Sequence, residues 1–152
     1  MDKENIKIYF NGINEQITFD ESGEFLQVII PNEIWFDIAK NLKTDEKLKF
    51  DYLFCLTAID WKTHFMLVYH LLSKTLKHTI VVKVKLPDRD KASIESVSSI
   101  WRTAELHERE VFDLFGITFL HHPNLKRLLL PDDWKGYPLR KDYVDEINMI
   151  EL

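Results

Sequence analysis

With 152 residues, 45% of them apolar and 12% aromatic, the chain is long enough for one compact domain that buries roughly two-thirds of its unfolded surface. Its 20 lysines and arginines against 25 acids leave a net charge of -5, so no global positive field attracts a phosphate backbone and nucleic acid is excluded as the expected partner. The single cysteine, Cys55, lies in the apolar run Leu53-Phe-Cys-Leu56; it excludes an internal disulfide and any thiolate-held cluster, and reads as a buried structural thiol in a reducing compartment.

The first residues, Met1-Asp-Lys-Glu-Asn-Ile-Lys-Ile-Tyr-Phe10, have no uninterrupted apolar core and carry acids, so they read as neither a secretory nor an organellar leader. No stretch approaches the roughly 18 apolar residues that span a bilayer, which leaves membrane association to partners. The run Glu24-Phe-Leu-Gln-Val-Ile-Ile30 predicts a strand that closes on Pro31. From Asn32 the period changes. Ile34, Trp35, Ile38, Ala39 and Leu42 fall at helical spacing, with Asn32 as cap and Glu33 at the positive end, and predict a helix to about Lys43.

Three β-rich runs follow, at 49–60, 64–73 and 78–86, joined by the short reversals Trp61-Lys-Thr-His64 and Ser73-Lys-Thr-Leu-Lys77. Short connections favour antiparallel neighbours, so a three-stranded meander is expected. Pro87-Asp-Arg-Asp90 breaks the pattern, and Ile94, Val97, Ile100, Trp101 and Ala104 predict the inner stripe of a second helix that begins at Ser93. That helix continues or restarts through Glu105 to Phe115, with Gly116 as a left-handed cap and Arg109 between Glu105 and Asp113 as an acid–base–acid ladder.

The expected fold is α+β: a two-layer domain with a mixed or antiparallel sheet and two main helices over residues 1–116, then an extended C-terminal docking tail over 117–152. Pro123, Pro131 and Pro138 leave no room in that tail for a helix of ordinary length, yet Phe119, Leu128-Leu-Leu130, Trp134, Tyr137, Leu139 and Tyr143 carry too much apolar area for a disordered segment. Such a strap gains order by lying on a surface, its own or another chain's.

Little in the chain invites catalysis. His121 and His122, with His107, Glu108 and Glu110, offer ordinary metal ligands, but no second histidine follows at the spacing of a zinc-protease motif, and hydrogen-bonded histidines in a turn before Pro123 fit as well. Asp132 and Asp133 after Pro131 read as the start of a turn rather than an acid–base pair. Four glycines leave little scope for a nucleotide cradle. By contrast, Arg127, Arg140 and Lys141 beside Trp134, Tyr137 and Tyr143 have the arginine and aromatic enrichment of interface hot spots.

The run Glu108-Arg-Glu-Val-Phe-Asp-Leu-Phe-Gly-Ile117, then His122-Pro123, Leu125, Arg127-Leu-Leu129, Pro131, Asp133-Trp134, Gly136 and Pro138-Leu-Arg-Lys-Asp-Tyr143, resembles the signature of the 30-kDa-type subunit of respiratory complex I, the proton-pumping NADH:quinone oxidoreductase. The match runs from about Trp101 to Tyr143. The resemblance implies a peripheral-arm subunit without a redox cofactor of its own, with NADH, FMN, iron–sulfur clusters and quinone in partner subunits. It implies packing against the large quinone-site subunit and the cluster-bearing subunit beside it, on the cytoplasmic side of the bacterial inner membrane. The residues expected to meet those partners are Arg109, Arg127, Asp133, Trp134, Pro138, Leu139, Arg140, Asp142 and Tyr143. Because the chain stops soon after Tyr143, contacts made by longer extensions in some relatives are not expected. Two other readings stand beside this one: a homologous subunit of a membrane-bound hydrogenase or other quinone-reducing dehydrogenase, and a free metal-dependent hydrolase using His121, His122 and Glu108 or Glu110.

Overall fold

The computed structural model describes residues 3–146. In chain order the elements are α1 (Lys3–Asn11), β1 (Thr18–Asp20), β2 (Leu26–Pro31), α2 (Asn32–Thr44), β3 (Tyr52–Asp60), β4 (Phe65–Ser73), β5 (His78–Leu86), β6 (Ser93–Glu95), α3 (Ala104–Phe115) and β7 (Thr118–Leu120).

The expected meander is present: β3, β4 and β5 pair antiparallel, with Leu56 opposite Tyr69 and Tyr69 opposite Val82. It leaves the far edge of β5 open. Strand β2 fills that edge in parallel, Val28 opposite Val82, and β1 adds antiparallel outside it, so the five-stranded mixed sheet runs β1-β2-β5-β4-β3. Alternation then sorts the side chains. Val28, Ile30, Leu67, Tyr69, Leu71, Val82 and Val84 point to one face and are buried there.

The helices cover that face. Trp35 of α2 packs its ring 4.7 Å from Tyr69 and 6.3 Å from Trp101, Phe115 of α3 meets Phe65 edge-on at 6.1 Å, and Phe10 of α1 meets Phe19 at 6.3 Å. Truncating a side chain as buried as Trp35 costs about 3–5 kcal/mol, so this aromatic stack is a principal fastening between layers. Among the described residues no helix is long and apolar enough to cross a membrane.

Three local expectations are corrected, and two elements are added. The helix predicted from Ser93 is instead strand β6, paired in parallel with β7 (Ile94 opposite Phe119), followed by turns in which the amides of Ile100 and Trp101 both reach the Val97 carbonyl. Ile94, Val97, Ile100, Trp101 and Ala104 are all buried, but strand pairing and the Glu108 carboxylate on the Val97 amide outweigh the helical spacing, and the helix starts at Ala104. The second correction follows from the first: β7 is regular structure beyond Gly116, and α3 is the crossover that parallel β6 and β7 require. Third, Asn32 is not a cap; the position before α2 is Pro31, and the Asn32 side-chain amide donates to the Ser93 carbonyl at 3.3 Å. Finally, α1 and β1 went unforeseen, because their short apolar runs lack a clear period.

Candidate functional site

Helix α3 ends with no basic residue in its last turn, although the four terminal carbonyls of a helix need donors and its C-terminus favours positive charge. The tail supplies both. The Phe112 carbonyl accepts the Gly116 amide at 2.9 Å, Asp113 the Arg127 guanidinium at 2.8 Å, Leu114 the Leu139 amide at 3.0 Å, and Phe115 Arg140 Nε at 2.6 Å. Gly116 is left-handed at φ 72°, and a Cβ there would lie 2.4 Å from the Tyr137 ring, so glycine is needed twice over.

The Asp113 side chain organises the middle of the tail. One oxygen takes Arg127 at 2.8 Å; the other takes the successive amides of Leu128, Leu129 and Leu130 at 3.0, 2.7 and 3.0 Å, a nest of donors around one anion. Burial acts to raise the Asp113 carboxyl, but the Arg127 guanidinium and the three amides prevail and hold it below its ordinary range. Arg127 reaches on to the carbonyls of Trp134 and Gly136, both at 2.9 Å, and lies 5.2 Å over the Tyr137 ring. Planar guanidinium geometry allows one side chain to read all of these.

A second clasp holds the far end. The buried Asp60 carboxylate accepts Arg89 through Nε at 3.1 Å and Nη2 at 2.7 Å, the Lys62 amide at 2.7 Å and the Lys141 amide at 2.8 Å. Arg89 also grips Asp142 at 2.6 and 3.0 Å. The Arg89 hydrogen bonds, with the two amides, hold Asp60 well below the usual carboxylate range against its burial. Arg140 lies between the rings of Phe65 and Tyr137, at 5.2 and 4.9 Å.

The tail is therefore a run of turns tied to its own domain, not an extended ribbon. Of the residues expected to meet partners, Arg109 donates to the carbonyls of Lys126 and Arg127, at 3.1 and 2.8 Å, while Arg127, Arg140 and Asp142 are engaged as above. The predicted Glu105–Arg109–Asp113 ladder does not form, because Arg127 takes the Asp113 carboxylate and Arg109 turns to tail carbonyls. Trp134, Pro138 and Tyr143 are half-buried, and Tyr143 packs against Gly136. Outward stand Asp133 together with Leu129, Leu139 and Val144, exposed by 65%, 51% and 73%.

The predicted metal-binding set is spread among separate roles. His122 Nε2–H donates to the Glu105 carbonyl at 2.9 Å while Nδ1 accepts the Asn124 amide at 3.0 Å, so both nitrogens are spent on a turn before Pro123. His121 pairs with Glu95 at 2.5 Å. Glu108 is fully buried and accepts Ser96 Oγ at 2.6 Å and the Val97 amide at 2.8 Å; burial pushes its carboxyl up to about 7 despite those bonds. Among the described residues no group of three or more His, Cys, Asp or Glu is placed to hold a metal ion. Cys55 is half-buried on β3, its thiol pushed up by burial and by the charge of Glu110. Sequence reasoning does not single out Asp60 or Arg89, and it gives Asp113 and Glu108 other partners than they have; the signal available for Asp113 is a helix C-terminus without basic residues, followed by two arginines.

Residues 28–147 match the family described as respiratory-chain NADH dehydrogenase, 30 Kd subunit. The C subunit of NADH-quinone oxidoreductase from Chlorobium phaeobacteroides is 44% identical over 127 residues, which are 82% of this chain and 75% of that one. Its counterpart from Chloroherpeton thalassium is 46% identical over 113 residues, 73% of this chain and 47% of the relative. A protein of Phocaeicola vulgatus, named as the C/D subunit of the same oxidoreductase, is 44% identical over 112 residues, and the chain spans only 22% of it. Among solved structures, a chain of the membrane-bound sulfane sulfur reductase, an archaeal respiratory membrane complex, shares the fold with a TM-score of 0.78 and 30% identity over 95% of this chain and 86% of that one. The clasped tail thus lies within a recognised family region, and the chain belongs to the 30-kDa subunit family of respiratory-chain NADH dehydrogenase, as a subunit of a multisubunit membrane respiratory complex.

Proposed function

We propose that this chain is a cofactor-free scaffold of the peripheral arm of an NADH:quinone oxidoreductase, whose tail from residue 117 onward docks the large quinone-site subunit and, beside it, the cluster-bearing subunit. NADH, FMN, the clusters and quinone reside in partner subunits of the complex, and the assembly sits on the cytoplasmic face of the bacterial inner membrane. One observation carries this reading. Polar ties to α3 and Asp60 face inward, while Leu129, Leu139 and Val144 face out from a backbone already fixed in shape. Pre-ordering of this kind lowers the entropic cost of association. The arginines set the surface and the apolar residues meet the partner. The Phocaeicola vulgatus relative, in which a similar segment is one part of a much longer chain, supports a large and close partner.

The test is co-purification of the membrane complex with Leu129→Asp and Leu139→Asp combined. Both side chains are exposed, so the isolated chain should keep its melting temperature within a few degrees while recovery of the large quinone-site subunit drops by about tenfold or more. Undiminished recovery, or a chain that exists in native extracts only as a solitary monomer, would rule the reading out.

A further inference from the structure

The hairpin between β3 and β4 ends in Trp61, whose indole is 53% exposed although tryptophan is among the costliest side chains to leave in water. The turn does not need it. Trp61 closes the hairpin through its backbone amide on the His64 carbonyl at 3.0 Å, and the Asp60 carboxylate fixes the next residue through the Lys62 amide. Among the described residues the indole stacks on the His64 ring, at 6.3 Å. Its second neighbour is the tail, since Lys141 Nζ lies 5.9 Å from the ring and the Lys141 amide is bonded to Asp60 at the root of the same hairpin. Tip and tail therefore form one rigid piece, clasped by Asp60 and Arg89, with Leu139 exposed two residues before Lys141.

We propose that Trp61 is an anchor of the same interface: the large quinone-site subunit, which closes over Leu139 of the tail, also receives the Trp61 indole, in an apolar slot with a carboxylate at its mouth facing Lys141. The inference rests on the docking reading above. Its occupant follows from the geometry, because a surface that closes over Leu139 and Lys141 meets an indole that already lies beside Lys141. An aromatic ring held beside a cation on a rigid support is the usual form of a binding hot spot.

The experiment places a photo-crosslinking benzoylphenylalanine at position 61 or position 139 in the intact membrane complex and identifies the captured peptides by mass spectrometry. Capture of one subunit from both positions, with acidic residues flanking the peptide caught at 61, is expected. Capture at 139 alone, or of a different subunit, a second copy of this chain or a peptide without acidic residues at 61, overturns the anchor and leaves the docking reading standing. No capture at 139 overturns both. In parallel, Trp61→Ala should lower recovery of that subunit by about tenfold, with Trp61→Phe restoring part of it and the melting temperature of the chain nearly unmoved. Recovery equal to the unaltered chain overturns the anchor.

Discussion

Glu108 and Asp113 stand five residues apart on α3, both without solvent exposure, yet they sit in opposite electrostatic states. Around Glu108 there is one hydroxyl, one amide and, 3.8 Å away, a His122 ring whose two nitrogens are already spent on Glu105 and Asn124, so burial prevails and the carboxyl holds its proton to about pH 7. Around Asp113 there are a guanidinium and three amides, and it lies nearer the protein surface than Glu108, so the carboxyl stays ionised although it too is closed to solvent. Burial alone does not decide the charge of a carboxylate; the number and sign of its donors do. The division also separates two jobs. Glu108 closes the domain's own turn at 96–98, while Asp113 holds the shape of the tail on which the proposed docking surface stands.

The sharpest way to break this contrast is the same isosteric change at both sites. Asp113→Asn should be the most damaging, because an amide nitrogen must then face either Arg127 or three N–H groups, and removing one partner of a buried ion pair costs about 3–5 kcal/mol. Chemical denaturation should report the loss, and limited proteolysis should show new early cleavage between Gly116 and Tyr143. If Asp113→Asn proves as mild as Glu108→Gln, the tail is not organised by this charge.

Gly116→Ala sharpens the comparison from the other side, since it leaves both carboxylates intact and attacks the closure of α3. The left-handed backbone disfavours alanine by about 1–2 kcal/mol, and the new methyl displaces Tyr137, the ring on which Arg127 and Arg140 both rest. A total near ~2–3 kcal/mol is expected, seen as a lower melting temperature. An unchanged Tyr137 environment, read by near-ultraviolet circular dichroism, would show that the cap and the tail are not coupled.

Strands β2 through β5 are legible in the sequence because each is an apolar, β-rich run, with β5 alternating best, and because Pro31, Pro87 and short polar reversals bound them. The site was legible only as a list. Arg127, Trp134 and Arg140 stand out by residue type, but their partners lie 14, 7 and 25 residues away, and the loop residue Arg89 meets Asp142 of the tail at a separation of 53. Local rules such as i,i+4 pairing therefore favoured Arg109 with Asp113, a pair that loses to a guanidinium arriving from the tail. The same competition explains Ser93: a three-residue strand has no periodic signature and exists only because Thr118–Leu120 lies beside it.

Glu108→Gln should be the least damaging of the three, and its effect depends on pH. The unfolded chain ionises this carboxyl near its ordinary 4.5 and the folded chain near 7, so between those values the unfolded state has released a proton that the folded state still binds. Stability contributed by the protonated form is thus fully present below about pH 4.5 and is lost as pH rises through about 7. Glutamine retains an oxygen for the Val97 amide and cannot ionise. The variant should accordingly match the natural chain at about pH 4.5 and exceed it by about 3 kcal/mol at about pH 8, where the natural chain must bury a charge and the gap from 4.5 to about 7 counts in full at ~1.4 kcal/mol per pH unit. Asp113 and Asp60 act in a different window, because their depressed values remove stability only as pH falls below the ordinary carboxylate range. Two separate slopes in a denaturation profile, the neutral one abolished by Glu108→Gln and the acid one untouched, would establish that one helix carries a proton-holding carboxyl and a charge-bearing one side by side. A single acid slope in the natural chain would mean that Glu108 stays ionised in the folded state, and the contrast between the two carboxylates would fail.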